Sequence, residues 1–334
     1  MTRPSVVKIA AWGDKHLASM CDNILPCLMA PGNLAALGML SPTHLLIYTD
    51  RELKLQGGFP NVNVRVVQMD RMPAEDDLPA QRVKLAWTDE DSIIEAQALD
   101  ADWFGFQADT LISDGFLARV KTLLKDHLAV AGAPIRTSTE QFQTMAGDSR
   151  ILSARRLREL SLAAMHPVTV DYFVHSPPRK IPADPHQFLF GLKDGGFVSH
   201  AWQPCPFGVS CEGLSYWQYA DTATVDCYLI PSMPVDRVRF HKPSEDGFYL
   251  TSLDAAAGIP KFGEFDVSPA SIAASIKKFS RTSREMANYL AMLNQRFVYA
   301  DGGIFIKSAD EEETIAAVKE ILDFVVRNEA LAWY

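Results

Sequence analysis

Val6-Val-Lys-Ile-Ala-Ala-Trp-Gly-Asp14 is an apolar run that ends in a polar turn, and Leu45-Leu-Ile-Tyr-Thr-Asp50 repeats the pattern. Between them, Leu17 to Leu37 carries apolar residues at helical spacing, interrupted at Pro26 and Pro31-Gly32. A short apolar run bounded by turn residues reads as a strand, and the longer periodic segment reads as helix. The unit is β-α-β. Working outward, Val62 to Val67 supplies a third strand and Leu78 to Leu99 a long amphipathic helix with Val83, Trp87, Ile93, Ile94, Ala96 and Leu99 at apolar positions. Trp103 to Phe106 is a fourth strand, Gly115 to Leu124 a helix and Leu128 to Gly132 a fifth strand. Strands alternating with helices of this length predict an α/β fold, a Rossmann-type, mostly parallel sheet with helices on both faces.

The rhythm changes after Ala133. Ser153 to Met165 reads as one more helix, after which His166-Pro167, Pro177-Pro178, Pro182 and Pro185 break the chain into loops and extended pieces. Phe188 to Phe190 and Phe197 to His200 flank Lys193-Asp-Gly-Gly196, a hairpin signal. Val225 to Ile230, Val235 to Phe240 and Phe248 to Leu250 read as further strands, and Ser268 to Phe279, Arg284 to Leu293 and Glu311 to Asn328 as helices. A strand and loop region followed by C-terminal helices is therefore expected, divided as residues 1–133, 134–250 and 251–334. Packing of the last helices against the sheet is the simpler expectation; a homodimer contact through them and a membrane-surface helix are the others, and three glutamates at its start make the last helix a poor match for an anionic bilayer.

The 334 residues carry 32 Lys and Arg against 41 Asp and Glu, a formal net charge of −9. No broad basic surface is left for nucleic acid or anionic lipid, so a phosphate ligand has to be held by local donors. No run reaches the roughly 18 apolar residues of a transmembrane segment, and the chain reads as cytoplasmic. Five cysteines, an odd number, argue against a disulfide framework. Cys205, Cys211 and Cys227 with His200 lack the short spacing of a structural zinc knuckle.

In an open parallel sheet the ligand crevice lies beyond the carboxyl ends of the strands. Four such ends are polar here: Trp12-Gly-Asp14, Thr49-Asp50, Gln107-Ala-Asp109 and Pro134 to Ser138. The first strand is followed by no G-x-G-x-x-G, and no P-loop occurs, which excludes the usual dinucleotide and P-loop readings. The informative stretch is Asp102 to Arg119, where an aromatic strand delivers Asp109 to its end and a turn leads to Asp114-Gly115. A carboxylate so placed can hold a divalent cation whose remaining ligands are phosphate oxygens.

With these residues in view, the strand ending in Tyr48-Thr-Asp50, the long helix and the strand ending in an acidic turn resemble the nucleotide-sugar-binding half of GT-A glycosyltransferases. Leu25 to Gly38, Ala108 to Leu117 and Thr224 to Leu229 also resemble a sparsely characterised bacterial family of transferases of this type. The resemblance spans Val6 to Leu250. It implies a GT-A-like catalytic unit with a nucleotide-binding half (1–133) and an acceptor half (134–250), and a nucleotide-sugar donor with a glycan, lipid-linked or protein acceptor. It also implies that Trp12, Tyr48 and Asp50 hold the nucleotide while Arg82 or Lys84 turns toward the diphosphate.

Where that family has D-x-D, this chain has Gln107-Ala108-Asp109. The resemblance then implies a divalent metal, manganese or magnesium, held weakly by Asp109 and Gln107, with His200 as the downstream histidine. Sugar transfer also needs a base for the acceptor hydroxyl. Asp226 in TVDCYL and Asp171 in VTVDYFV are the candidates, because an acid inside an apolar strand has to be paired, functional or at an edge. Trp202, Tyr216, Trp217 and Tyr219 are candidates for a sugar platform, although aromatics there more often belong to a core. A nucleotidyltransferase would bring a glycine-rich, basic loop that AAWGDKH lacks. A degenerate domain that binds a nucleotide sugar or a protein without catalysis is the non-enzymatic alternative.

Overall fold

The computed structural model describes residues 2–53, 58–74, 77–173, 180–182, 186–192, 195–218, 225–255, 264–266, 268–299, 316, 319, 320 and 323. In chain order the strands are β1 (Ser5–Ala10), β2 (Thr43–Thr49), β3 (Val62–Gln68), β4 (Asp102–Gln107), β5 (Thr110–Ile112), β6 (Ala129–Gly132), β7 (Arg136–Ser138), β8 (Lys180–Pro182), β9 (Gln187–Gly191), β10 (Phe197–Ala201), β11 (Cys205–Val209), β12 (Val238–Phe240), β13 (Leu250–Asp254), β14 (Glu264–Asp266) and β15 (Phe297–Tyr299). Seven of them form one sheet in the order β12-β6-β11-β4-β1-β2-β3. Every neighbouring pair is parallel except those made by β11, which runs antiparallel to β4 and β6. The mostly parallel α/β sheet expected from the sequence is thus present.

β1 is buried along its whole length, as a central strand covered on both faces must be. Lys8 sits inside it, and its ammonium meets the Asp89 carboxylate at 2.7 Å, both side chains being buried. Asp89 lies on the Leu78–Ala98 helix, so this ion pair pins that helix across the sheet. The next two acids of the helix are also engaged: Glu90 accepts from the Trp217 indole and Asp91 from the Tyr48 hydroxyl. On β4, Trp103 and Gly105 share a face, and the Trp103 ring occupies the space above Gly105: a Cβ there would lie 2.1 Å from the ring.

The Gly13–Leu40 region is helical but broken into pieces, with π-helical turns at Met20–Ile24 and Pro31–Ala35. Pro31 removes a donor, and Asn33 at the kink turns its side chain inward to the carbonyls of Cys27 and Ser113 and to the Leu117 amide. Leu17, Met20, Ile24, Leu28, Leu34 and Leu37 from these pieces are buried in the core. Among the described residues no single helix is long and apolar enough to cross a membrane; one bent pair, Gly13–Leu28 with Pro31–Leu40, passes by length and composition.

Four readings of the sequence differ from the structure. Val225 to Ile230 is not a strand but the helix Val225–Ser232, and Asp171 ends a one-turn helix, Pro167–Asp171. A short apolar run is compatible with a buried helix as much as with a buried strand, and periodicity alone does not separate them. Val235–Arg237 forms a 3-10 turn before β12, and the strand read at Phe248 begins instead at Leu250, where it runs on to Asp254.

The hairpin is present: β9 and β10 pair antiparallel, although Lys193 and Asp194 lie outside the described residues. β15 pairs with β10. Helices Pro269–Phe279 and Ser283–Leu293 pack inward through Ile272, Ile276, Met286, Tyr289, Met292 and Leu293. Asn288 donates to the Pro231 and Met233 carbonyls at 2.8 and 2.7 Å, fastening the second of these helices to the Val225–Ser232 helix. Most of the helix expected over Glu311 to Asn328 lies outside the described residues.

Candidate functional site

From β1 the chain builds β2 and β3 on one side and then crosses to place β4 on the other. The strand order reverses between β1 and β4, and an open α/β sheet takes its ligand in the crevice beyond the carboxyl ends at such a switch. On one wall the Gly13 amide donates to the Asp50 carboxylate at 3.3 and 3.4 Å, joining the ends of β1 and β2. Gly13 has φ of 69°, a backbone conformation that favours glycine. Trp12 is half-buried beside it and packs on the core. Ser19 donates to the Ala108 carbonyl at 3.2 Å, closing the floor toward β4.

The other wall is a small sheet, β5-β13-β7, made from the segments that follow β4 and β6 and joined by a strand from much later in the chain. β13 pairs antiparallel with β5 and parallel with β7. The Leu253 amide donates to the Asp109 carbonyl at 2.9 Å, and the Ser252 hydroxyl donates to Asp109 Oδ2 at 3.1 Å. Two residues on, and therefore on the same face, Asp254 accepts from Arg136 Nη1 at 2.9 Å. Ser252 is the register partner of Arg136. Strand pairing thus gathers Asp109, Ser252, Arg136 and Asp254 at one place.

Burial first, and the Asp254 charge second, push the Asp109 carboxyl up to about 6, against the lowering effects of the Ser252 hydrogen bond and Arg136. The Arg136 backbone is fixed by Thr169, whose hydroxyl accepts from its amide at 3.2 Å, and by the His166 amide, which donates to its carbonyl at 2.9 Å. Its side chain is 38% exposed against 20% for that of Asp254. Nearby, burial and the Arg136 charge push the His186 imidazole down to about 4, which leaves it neutral, and its ring lies edge-on to Tyr172 with centroids 6.1 Å apart.

The sequence-derived candidates are only partly brought together here. Asp50, Gln107 and Asp109 lie at strand ends beside the switch. Tyr48 does not: it is fully buried, with its hydroxyl on Asp91 at 2.7 Å and its ring 6.0 Å from that of Trp87. Alternation along β2 turns Tyr48 into the layer between sheet and helix. Arg82 is exposed, and Lys84 donates to the Asp70 carbonyl at 3.0 Å. Asp70 follows β3, two strand spacings or roughly 10 Å from β1, so the helix start serves the sheet edge rather than the switch. A groove of about 600 Å³ between β3 and this helix, lined by Arg65, Asp91, Ile94 and Glu95 among others, lies on that edge and is separate from the crevice. Asp114 accepts from the Gly32 amide at 2.7 Å and serves to hold the kinked helices.

His200 is a core residue. Its Nδ1 contacts the Leu293 carbonyl at 2.9 Å, its side chain is 2% exposed, and burial pushes it down to about 4. Neighbouring Ser199 points to the opposite face of β10, toward Gln187, whose amide reaches the Pro134 carbonyl. His200 thus lies on the face of β10 that packs against the Ser283–Leu293 helix end. Trp202 is buried against Phe279 and Tyr289. Asp171 is half-buried at its helix end; the side chain of Asp226 and all of Tyr219 lie outside what is described.

The donor set does not fit the expected metal. Gln107 is neutral, Asp109 Oδ2 accepts from Ser252, Asp254 is paired with a guanidinium, and His200 lies in the core. Among the described residues no group of three or more His, Cys, Asp or Glu side chains could hold an ion. Arg136 lies within the polar stretch Pro134 to Ser138, but nothing local in the sequence distinguishes it. Ser252 and Asp254 lay beyond the expected boundary at 250, and only strand pairing reveals them.

No family model matches the chain, and no curated protein matches it. Among solved structures it is similar to S. aureus TarS, at 8% identity and TM-score 0.39 over 87% of this chain and 42% of that one. For TarS 1-349 the values are 8% and 0.38 over 96% and 70%, and for TarS 1-349 in complex with UDP-GlcNAc they are 9% and 0.37 over 87% and 70%. The chain spans less than half the length of the full TarS chain. Likeness at this level assigns no residue a role and carries no activity across.

Proposed function

We propose that the protein binds a nucleoside-diphosphate sugar in the crevice between β1 and β4 and transfers the sugar to an acceptor hydroxyl. The observation that carries this reading is the convergence of Asp109, Arg136 and Asp254 on one wall of a topological switch point, opposite the Asp50 wall. Nucleotide-sugar chemistry comes from the sequence resemblance and is compatible with that convergence, since the crevice offers a cation for a diphosphate and a carboxylate for a proton.

In the proposed reaction the acceptor oxygen attacks the anomeric carbon, the bond from that carbon to the phosphate oxygen breaks, and the nucleoside diphosphate leaves with the electron pair. The acceptor proton passes to Asp109. A carboxylate with its proton affinity raised to about 6 suits this role, because a general base works best when its pKa lies near the working pH.

The test is a thermal-shift screen of UDP-, GDP-, ADP- and CDP-sugars, followed by donor hydrolysis with the purified protein. A donor that raises the melting temperature and is slowly hydrolysed supports the enzyme. Binding with no trace of hydrolysis favours the degenerate binding domain, a reading that Gln107 in place of an acid also favours. No shift with any donor would remove the reading.

A further inference from the structure

The GT-A resemblance calls for a metal at the diphosphate, and the residues present do not fit one. We infer that the guanidinium of Arg136, rather than a divalent cation, supplies the positive charge that a donor diphosphate meets in this crevice. The inference rests on the nucleoside-diphosphate reading above and names a binding residue for it.

Three observations support Arg136. Its backbone is locked at both amide and carbonyl by Thr169 and His166, so the side chain starts from a fixed origin. The side chain leaves β7 on the wall shared with Asp109 and stays 38% exposed. Of its five N–H groups only one, on Nη1, meets a protein acceptor, Asp254; among the described residues Nε and Nη2 have none. A planar guanidinium on a part-exposed side chain, with one corner anchored and its other donors left without an acceptor among the described residues, is preorganised to take two phosphate oxygens at once. A carboxylate paired with that guanidinium is at the same time a poor metal ligand, because the cation would have to displace an arginine held at 2.9 Å.

Asp254 is then a positioning residue. It orients Nη1 but also places a negative charge beside the incoming phosphates. The two ways of holding a diphosphate therefore give opposite signs for its neutralisation. If Arg136 is the cation, Asp254→Asn frees donors, removes a repulsive charge and tightens binding; if a metal is held by the acids of this wall, the same change removes an acid and weakens binding.

The experiment is isothermal titration calorimetry of the full chain with UDP, GDP, ADP and CDP, each in EDTA and in manganese. At least one diphosphate should bind in EDTA, with an affinity that manganese changes less than about threefold. Arg136→Gln should weaken that binding by tenfold or more, a loss that manganese does not restore, corresponding to at least about 1.4 kcal/mol. Asp254→Asn should tighten it, and this second variant decides the matter should Arg136→Gln fail to fold as judged by its thermal melt. Binding that requires manganese, is unchanged in Arg136→Gln or weakens in Asp254→Asn would overturn the inference while leaving the nucleotide reading intact. Failure of all four diphosphates to bind the wild type in either buffer would overturn both.

Discussion

Asp109→Asn should make the protein more stable and less active. In the folded chain the Asp109 carboxyl is raised from 3.8 to about 6, mainly by burial and then by Asp254. A folded-state pKa above the unfolded one means that the native state binds the proton more tightly, so stability from this group falls as pH rises from about 4 to about 6 and stays low above that. Two units at about 1.4 kcal/mol each set a ceiling near 3 kcal/mol. The side chain keeps some contact with water, which brings the expected gain for the neutral amide at pH 7.5 to about 1–2 kcal/mol. Asparagine retains an oxygen for the Ser252 hydroxyl, so that donor keeps its acceptor. His186, His200 and His241, each pushed down to about 4 chiefly by burial, act in the opposite sense and destabilise the fold as pH falls below their ordinary value. The informative quantity is therefore the wild-type minus variant difference, in which those contributions cancel. Urea unfolding of both proteins at several pH values from 4 to 8 should give a difference near zero at pH 4 that opens through pH 6 and is flat beyond it. If sugar transfer uses Asp109 as the base, the wild-type rate should also fall tenfold per unit below about pH 6, and the variant should bind donor yet lose turnover. A difference that does not vary with pH, or an asparagine variant with full turnover, would refute the reasoning.

Lys8→Met should cost about 3–5 kcal/mol by leaving Asp89 buried without its partner, and Lys8→Met with Asp89→Leu should recover most of that loss in chemical denaturation. Gly105→Ala should destabilise the sheet by about 1–3 kcal/mol, since its methyl would meet the Trp103 ring at 2.1 Å, and a blue or red displacement of tryptophan emission should accompany the lower melting temperature. His200→Ala should lower stability by about 1–3 kcal/mol through lost packing and the freed Leu293 carbonyl, with nucleoside-diphosphate affinity unchanged by calorimetry.

The layered sheet was legible in the sequence because its signals are local. Val6 to Ala11, apart from Lys8, and Leu45 to Tyr48 are apolar on both faces, as strands between two helical layers must be, and the Leu78–Ala98 helix is long enough for its period to be read. The polar strand ends at Asp50 and Asp109 were equally visible, since parallel topology assigns the carboxyl edge before any side chain is placed. Facing and pairing were not. Val225 to Ser232 and Pro167 to Asp171 fold as helices because their apolar residues pack into a core that the rest of the chain creates. His200 and Tyr48 turn inward because a strand residue's direction depends on register, which a one-residue offset reverses. Asp254 reaches Arg136 across a sequence separation of 118 residues, through the pairing of β13 with β5 and β7, a long-range contact for which neither segment carries a local signal. The sequence alone determined the layers and the edge on which a ligand sits; which charges meet at that edge was decided only when distant strands were hydrogen-bonded side by side.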